Sequence, residues 1–270
     1  MEIKTSYKYK AEFKKLISGE CWITDDKMMN HFGSMTDHCD LRGTKSFYRY
    51  RSFNEYTLGE IINQQVYLAK LSEYDDAYEG RYLVDEFDLK NNINQFDVDR
   101  INNFYRENVR CACFTTNNKN IPMWYYYADK HQGICIEYKY RDFRLNEDAI
   151  FLPIIYPRNY EEHDFKFLPK IEEQYKFGAI VTSLVKNRLW DFENEWRILK
   201  VTDEKNPLYV PLKMDKIHLG ANVSQATKEV IKNVIEKNNL DIKLKEMVLT
   251  TSGLASFDEG IIPEDHKTRL

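Results

Sequence analysis

Thr44-Lys-Ser-Phe-Tyr-Arg-Tyr-Arg51, Ser52-Phe-Asn-Glu55 and Val66-Tyr-Leu-Ala-Lys-Leu71 decide how this chain is read. The first stretch alternates aromatic and basic side chains, which is the period-two pattern of a strand. Ser52-x-x-Glu55 reads as a capping box ahead of Leu58, Ile61 and Ile62, whose spacing is helical. Val66 to Leu71 is rich in β-formers and reads as the next strand. The opening unit is therefore strand–helix–strand. In the first strand Arg49 and Arg51 share one side, and Tyr48 and Tyr50 the other.

Working outward, Phe13, Leu16 and Ile17 place a short amphipathic helix over residues 8–18. Tyr74-Asp-Asp-Ala-Tyr-Glu-Gly80 is an acidic turn, and a helix is expected around Val98 to Tyr105 in the polar stretch 83–108. Val109 to Thr115 is strand-like. Pro122 suits the first turn of a helix over Met123 to Asp129. Gly133 to Tyr138 and Ala149 to Tyr156 read as strands, with Pro153 marking the latter as an edge or bulged strand. Residues 168–187 look helical. Glu193 to Val201 and Leu208 to Met214 read as strands. Val230, Ile231, Val234 and Ile235 make a helical stripe ending at Asn238-Asn239, and Ile242 to Leu249 forms the final strand. No linker splits the chain. The expected fold is α+β, a single domain with a mixed, largely antiparallel central sheet flanked by helices: an N-terminal helical extension over 1–44, a core over 45–250, and a C-terminal tail over 251–270 packed on it.

Composition narrows the function classes. The chain has 270 residues, 43% hydrophobic and 30% charged, which suits a packed core and not a disordered chain. A net charge of −4, with acids and bases interspersed, gives no polybasic footprint for duplex DNA or anionic lipid. A local groove for one nucleotide or an RNA strand stays open, as does a protein target. The five cysteines, Cys21, Cys39, Cys111, Cys113 and Cys135, have no framework-like spacing and read as free thiols. The histidines show no zinc spacing, so no metal site is supported. Without a hydrophobic signal segment or an apolar run of membrane length, the expected location is the cytoplasm and no membrane partner is implied.

Two segments concentrate chemistry. Arg49 and Arg51 offer planar forks for phosphate or carboxylate. In Trp190-Asp-Phe-Glu-Asn-Glu195-Trp-Arg197, a strand beginning by Glu193 would put Glu193, Glu195 and Arg197 on one side. Two carboxylates and up to three guanidiniums could then face one cleft, and the carboxylates could hold a ribose hydroxyl, act as a base, or stabilise an oxocarbenium-like transition state. The same residues would also make a partly buried ion network. Asp75, Asp76 and Glu79 could hold Mg²⁺ with substrate phosphates, or simply close a turn. Met123-Trp-Tyr-Tyr-Tyr-Ala-Asp-Lys-His-Gln-Gly133 offers Trp124 or Tyr127 for stacking and His131 for hydrogen bonding, or else core rings with His131 at the turn. There is no dinucleotide-binding glycine pattern, no phosphate-binding loop, and no recognisable triad context for any Ser or Cys.

The order of these blocks resembles an uncharacterised bacterial family, domain of unknown function 2971. The resemblance rests on Tyr48-Arg49-Tyr50, Tyr74 to Glu79, Met123 to Cys135, Trp190 to Arg197 and Ile217-His-Leu-Gly220, across roughly residues 45–250. In the acidic turn Asp75 and Ala77 depart from the family's usual Asn and Pro. A more distant similarity is to ADP-ribosyltransferases. It implies that Arg49 anchors the phosphates of NAD as a substrate, that a tyrosine stacks on nicotinamide, and that Glu195 stabilises the ribosyl cation. Taking the charged strands and this resemblance together, Glu195, Glu193 and Arg49 are the catalytic candidates. Tyr48, Tyr50, Arg51, Trp124, Tyr127, His131 and Arg197 are the binding candidates for a nucleotide or other small molecule. The implied protein is an NAD-consuming transferase or glycohydrolase, an effector of antiphage or toxin type. The alternatives are a metal-dependent nuclease or phosphohydrolase using Asp75, Asp76, Glu79 and Glu193, and a non-enzymatic binding or regulatory module.

Overall fold

A computed structural model describes residues 45–76, 78–81, 95–145, 149–154, 156 and 175–259. The helix expected over 8–18 and the start of the one expected over 168–187 lie outside these residues. Among the described residues ten strands form one sheet: β1 (Ser46–Arg51), β2 (Gln65–Lys70), β3 (Val109–Thr115), β4 (Ile134–Lys139), β5 (Ile150–Pro153), β6 (Glu195–Val201), β7 (Leu208–Pro211), β8 (Lys216–Leu219), β9 (Lys243–Thr250) and β10 (Gly253–Asp258). The α-helices are α1 (Glu55–Asn63), α2 (Gln95–Asn108), α3 (Ile121–Tyr127), α4 (Tyr175–Ser183) and α5 (Gln225–Lys237). The strand order is β10-β9-β8-β4-β1-β3-β2-β7, with β6 on the other edge of β3 and β5 beyond it. Every pairing is antiparallel except β8 with β9, which α5 connects as a crossover. The architecture is α+β around a mixed, mostly antiparallel sheet.

Most elements follow their local chemistry. Asn120 caps α3 by accepting from the Met123 N–H, with Pro122 in the first turn. Ser224 caps α5 in the same manner through Thr227. The predicted capping box at Ser52 is corrected. Asn54 is the cap, its Oδ1 accepting from the Thr57 N–H at 3.0 Å, while the Ser52 carbonyl accepts from the Thr57 hydroxyl. The helix starts at Glu55, so Asn54 stands at the position whose side chain meets the third N–H on, and Ser52 still belongs to the extended chain leaving β1. Pro153 ends β5, which pairs with β6 alone, as an edge strand tolerates. The final predicted strand continues through a turn into β10, so Gly253 to Asp258 of the tail form a hairpin with β9.

Register sets which side chains share a side. Tyr48 opposes Thr115, and Thr115 opposes Glu195; Cys113 opposes Arg197. Directly opposed residues project to the same face, so Glu195 and Arg197 lie on the face of Tyr48 and Tyr50. Arg49 and Arg51 lie on the other. We call these the tyrosine face and the arginine face.

The arginine face carries the aromatic core. Phe47 is fully buried and meets Phe143, Phe151 and Trp196 at centroid distances of 5.4, 4.8 and 5.2 Å. Such edge and tilted contacts add roughly 0.5–1.5 kcal/mol each beyond area burial. Helices α1 and α5 pack together over this face. On the tyrosine face, Trp124 of α3 meets Tyr50 edge-on at 5.1 Å above buried Cys135, and α4 sits against β6. No helix among the described residues is long and apolar enough to cross a membrane.

Candidate functional site

The densest set of buried charge lies on the tyrosine face where β6 begins. Arg197, 1% exposed, makes five hydrogen bonds. Nη1 and Nη2 donate to Glu79 Oε1 and Oε2 at 2.5 and 2.9 Å. Nε and Nη2 donate to Glu195 Oε1 and Oε2 at 2.6 and 3.1 Å, and Nη1 also donates to the Ser183 carbonyl at 2.8 Å. Every N–H of the guanidinium is thus used. Acidic turn and late strand, read separately in the sequence, meet through this one side chain.

The cluster continues toward the surface. The strand expected from Glu193 is corrected: it begins at Glu195, and Arg188–Glu193 is a 3-10 helix that ends at Asn194 in the left-handed region, φ 44°. This turn nevertheless brings the two carboxylates to one cation. Lys186 Nζ lies 2.6 Å from Glu193 Oε2 and 3.3 Å from Glu195 Oε2, with the Trp190 ring 5.1 Å away. The Tyr127 hydroxyl donates to the remaining Glu193 oxygen at 2.5 Å.

These surroundings push the two carboxyls apart. Burial would raise Glu195, but the charges of Arg197 and Lys186 prevail and hold it down to about 2. Glu193 moves the other way: burial and the charge of Glu195 raise it against the pull of Lys186 and Tyr127. Three carboxylates against two cations leave one excess negative charge, and Glu193, whose carboxyl is the raised one, is the member that most readily takes up a proton. A fixed anion beside a more basic carboxylate is the arrangement that lets one site use two carboxyl groups differently.

Tyr127, which binds Glu193, belongs to a run of exposed tyrosines. Tyr125, Tyr126 and Tyr127 of α3 are 50%, 63% and 38% exposed. Leu189 and Arg188 on the neighbouring 3-10 helix are also exposed. Consecutive helical residues point in different directions and Tyr125 meets Tyr126 edge-on, so Tyr127 is the exposed ring that stands beside Glu193.

The arginine pair is elsewhere. Arg49 and Arg51 do not share a cleft with Glu193, Glu195 and Arg197, because the sheet separates them. They flank buried Glu60 of α1, at 3.5 and 3.7 Å, and Arg49 lies over Phe114 at 5.5 Å. The ribosyltransferase-type partnership of Arg49 with Glu195 is corrected by this geometry. Alternation was read properly for Arg49 with Arg51 and for Glu195 with Arg197, but the relation between strands was not visible.

Of the other binding candidates, Trp124 is fully buried and donates its indole N–H to the Asn118 carbonyl, so it is core rather than a platform. Tyr50 is buried with its hydroxyl on the Asn117 carbonyl. Tyr48 is half-buried, its acidity held at about 12 by burial and by Glu137. His131 sits in the α3–β4 turn at φ 69°, its N–H on the Trp124 carbonyl, with burial lowering its pKa. Only Tyr127 joins the carboxylate cluster. Lys186 and Glu60 carried no motif and were missed, while Glu79 was assigned to another chemistry. Asp76 accepts from the Tyr78 N–H at 2.8 Å in a local turn and Glu79 binds Arg197, so the acidic turn does not gather into a set with Glu193. Among the described residues no group of three or more His, Cys, Asp or Glu side chains is placed to hold a metal.

Residues 123–198 match the model of a family described as Protein of unknown function (DUF2971). That stretch runs from α3 into β6 and contains Tyr127, Lys186, Glu193, Glu195 and Arg197, but neither Arg49 nor Glu79. No curated protein and no solved structure matches the chain, and none of the comparisons carries the similarity to ADP-ribosyltransferases.

Proposed function

We propose that the chain is an enzyme acting on the glycosidic bond of a nucleotide-type substrate, NAD among them, with Glu193 as the proton-transfer group. The observation that carries this reading is the position of buried Glu193, between the hydroxyl of the exposed Tyr127 ring and the Lys186 ammonium. A planar base stacks on the exposed Tyr127 ring, and exposed Arg188 on the neighbouring 3-10 helix suits a phosphate. When the bond from ribose C1′ to the base breaks, the base leaves with the electron pair. Water supplies the new C1′–O bond, passing its proton to the Tyr127 oxygen as the Tyr127 proton moves to Glu193. A carboxyl raised by burial is matched to that task. Glu195, saturated by Arg197 and Lys186, is a fixed negative charge that keeps Lys186 in place. Consumption of NAD or another nucleotide would make the chain an effector of toxin or antiphage type.

The test is incubation of the purified chain with NAD and a panel of nucleotides, with products read by mass spectrometry. Glu193→Gln and Tyr127→Phe are expected to lower turnover by about 100-fold or more, in the range of general acid–base contributions, with melting temperature retained. Full turnover in Glu193→Gln rejects the role of Glu193, and intact substrates throughout reject the reading.

A further inference from the structure

The tyrosine face carries a second polar constellation, some strands away from Glu193, assembled from β4, β8 and β10. The Ser256 hydroxyl lies 3.0 Å from His218 Nδ1, and His218 Nε2 lies 3.0 Å from Glu137 Oε2. Ser46 and Lys216 both donate to the other Glu137 oxygen at 2.8 Å. His218 and Glu137 are 3% and 5% exposed, whereas Ser256 is half-exposed. No Ser was expected to have such partners, since they are 38 and 119 positions away along the chain.

We propose that Ser256, His218 and Glu137 form a nucleophilic centre for acyl transfer, with Ser256 attacking an ester or thioester. The orientation of the imidazole follows from its partners. Glu137 is ionised, because hydrogen bonds from His218, Lys216 and Ser46 overcome burial and hold its carboxyl near 2. A carboxylate can only accept, so Nε2 carries the ring proton toward it and Nδ1 is left with its lone pair. The Asn118 side-chain amide, 3.4 Å from Nε2, is a weaker neutral partner and does not reverse this order. The lone pair at Nδ1 faces the Ser256 hydroxyl, which is the relation a general base needs to a nucleophile. The ring nitrogens are exchanged relative to the commoner arrangement, but the proton path is the same.

In the first step the Ser256 Oγ–acyl bond forms, the hydroxyl proton moves to Nδ1, and the leaving alkoxide or thiolate takes that proton as its bond to the acyl carbon breaks. Water then attacks the acyl-serine, gives its proton to Nδ1, and the carboxylic acid leaves as Oγ recovers the proton. Among the described residues β10 ends the sheet order, so alternate backbone N–H groups along its outer edge point away from β9 and are of the kind that stabilise an oxyanion. Glu137 is a positioning residue, acting through His218.

The full chain is treated with a fluorophosphonate, a serine-directed probe, and the modified residue is located by peptide mass spectrometry; p-nitrophenyl acetate provides a turnover readout. The expected result is a phosphonyl adduct on Ser256 with loss of fluoride, absent in Ser256→Ala. The labelling rate is expected to fall about 100-fold or more in His218→Gln. Imidazole ¹⁵N chemical shifts are expected to report the Nε2-protonated tautomer, and in Glu137→Gln that preference is expected to weaken along with the labelling rate. Absence of an adduct at Ser256 in the folded chain overturns the proposal, as does equal labelling in His218→Gln. Either outcome would make the group a hydrogen-bond tie between strands. Neither bears on Glu193, whose test uses a different substrate and readout.

Discussion

Replacing Glu79 by Ala tests whether Arg197 is the structural anchor of the charged cluster. The substitution removes two of the five hydrogen bonds of a guanidinium that is 1% exposed. Two charge-assisted bonds at about 1.5–3 kcal/mol each give about 3–6 kcal/mol, and removing one partner of a buried pair independently gives about 3–5 kcal/mol. The two estimates agree. For a domain of this size each kcal/mol shifts the melting temperature by about 2–4 °C, so a fall of about 6–20 °C is expected by calorimetry or circular dichroism. Water cannot offset the loss cheaply, because the fork points into protein at Ser183 and Glu195 on its other sides. The double variant Glu79→Leu with Arg197→Met removes charge and counter-charge together. It is expected to be more stable than the sum of the single changes by at least about 1 kcal/mol. A fall below about 3 °C in Glu79→Ala, or strict additivity in the cycle, would refute the argument that this fork is a buried, coupled unit.

Glu60→Ala removes the one carboxylate between Arg49 and Arg51 and the acceptor for the Tyr67 N–H at 2.8 Å. A loss of about 3–5 kcal/mol is expected by urea denaturation, with Glu60→Gln intermediate. The pH dependence has two opposed parts. Glu195 and Glu137 are held down to about 2 in the folded chain, so their contribution is complete above the ordinary carboxylate range near 4.5 and is lost as pH falls toward about 2. Glu193 is raised, so its contribution is present in acid and is lost as pH rises through its elevated value. Urea midpoints between pH 3 and 7 are expected to fall more gently on the acid side in Glu195→Gln than in the parent, and identical acid slopes would contradict this. Lys130 is exposed, with φ 51°, between two further left-handed non-glycine residues. Lys130→Gly relieves that conformation and is expected to change stability by about +0.5 to +1 kcal/mol, whereas Lys130→Val is expected to lower it.

Much of the fold was legible because its signals are local. The alternation of β1, the apolar run of β3 and Pro122 at the start of α3 each report on a few neighbouring residues, and each held. The carboxylate site was half legible. Glu193, Glu195 and Arg197 lie in one short segment, but Lys186 and Glu79 reach them only through the packing of α4 and the acidic turn. The Ser256 group was invisible in sequence because its members come from three strands. Deeper still is the matter of register. Alternation tells which residues of one strand share a side, yet not which sides of two strands coincide. Here the relation hangs on Tyr48 opposing Thr115, and Thr115 opposing Glu195. A slip of one residue in the first pairing would have put Arg49 opposite Thr115, and so on the same face as Glu195. Burial resists that slip. It would expose Phe47, which packs against Phe151 and Trp196, and drive the Tyr48 ring into the aromatic core with its hydroxyl unpartnered. The aromatic core of the arginine face therefore decides which charges meet on the tyrosine face, and the site is a consequence of packing on the far side of the sheet.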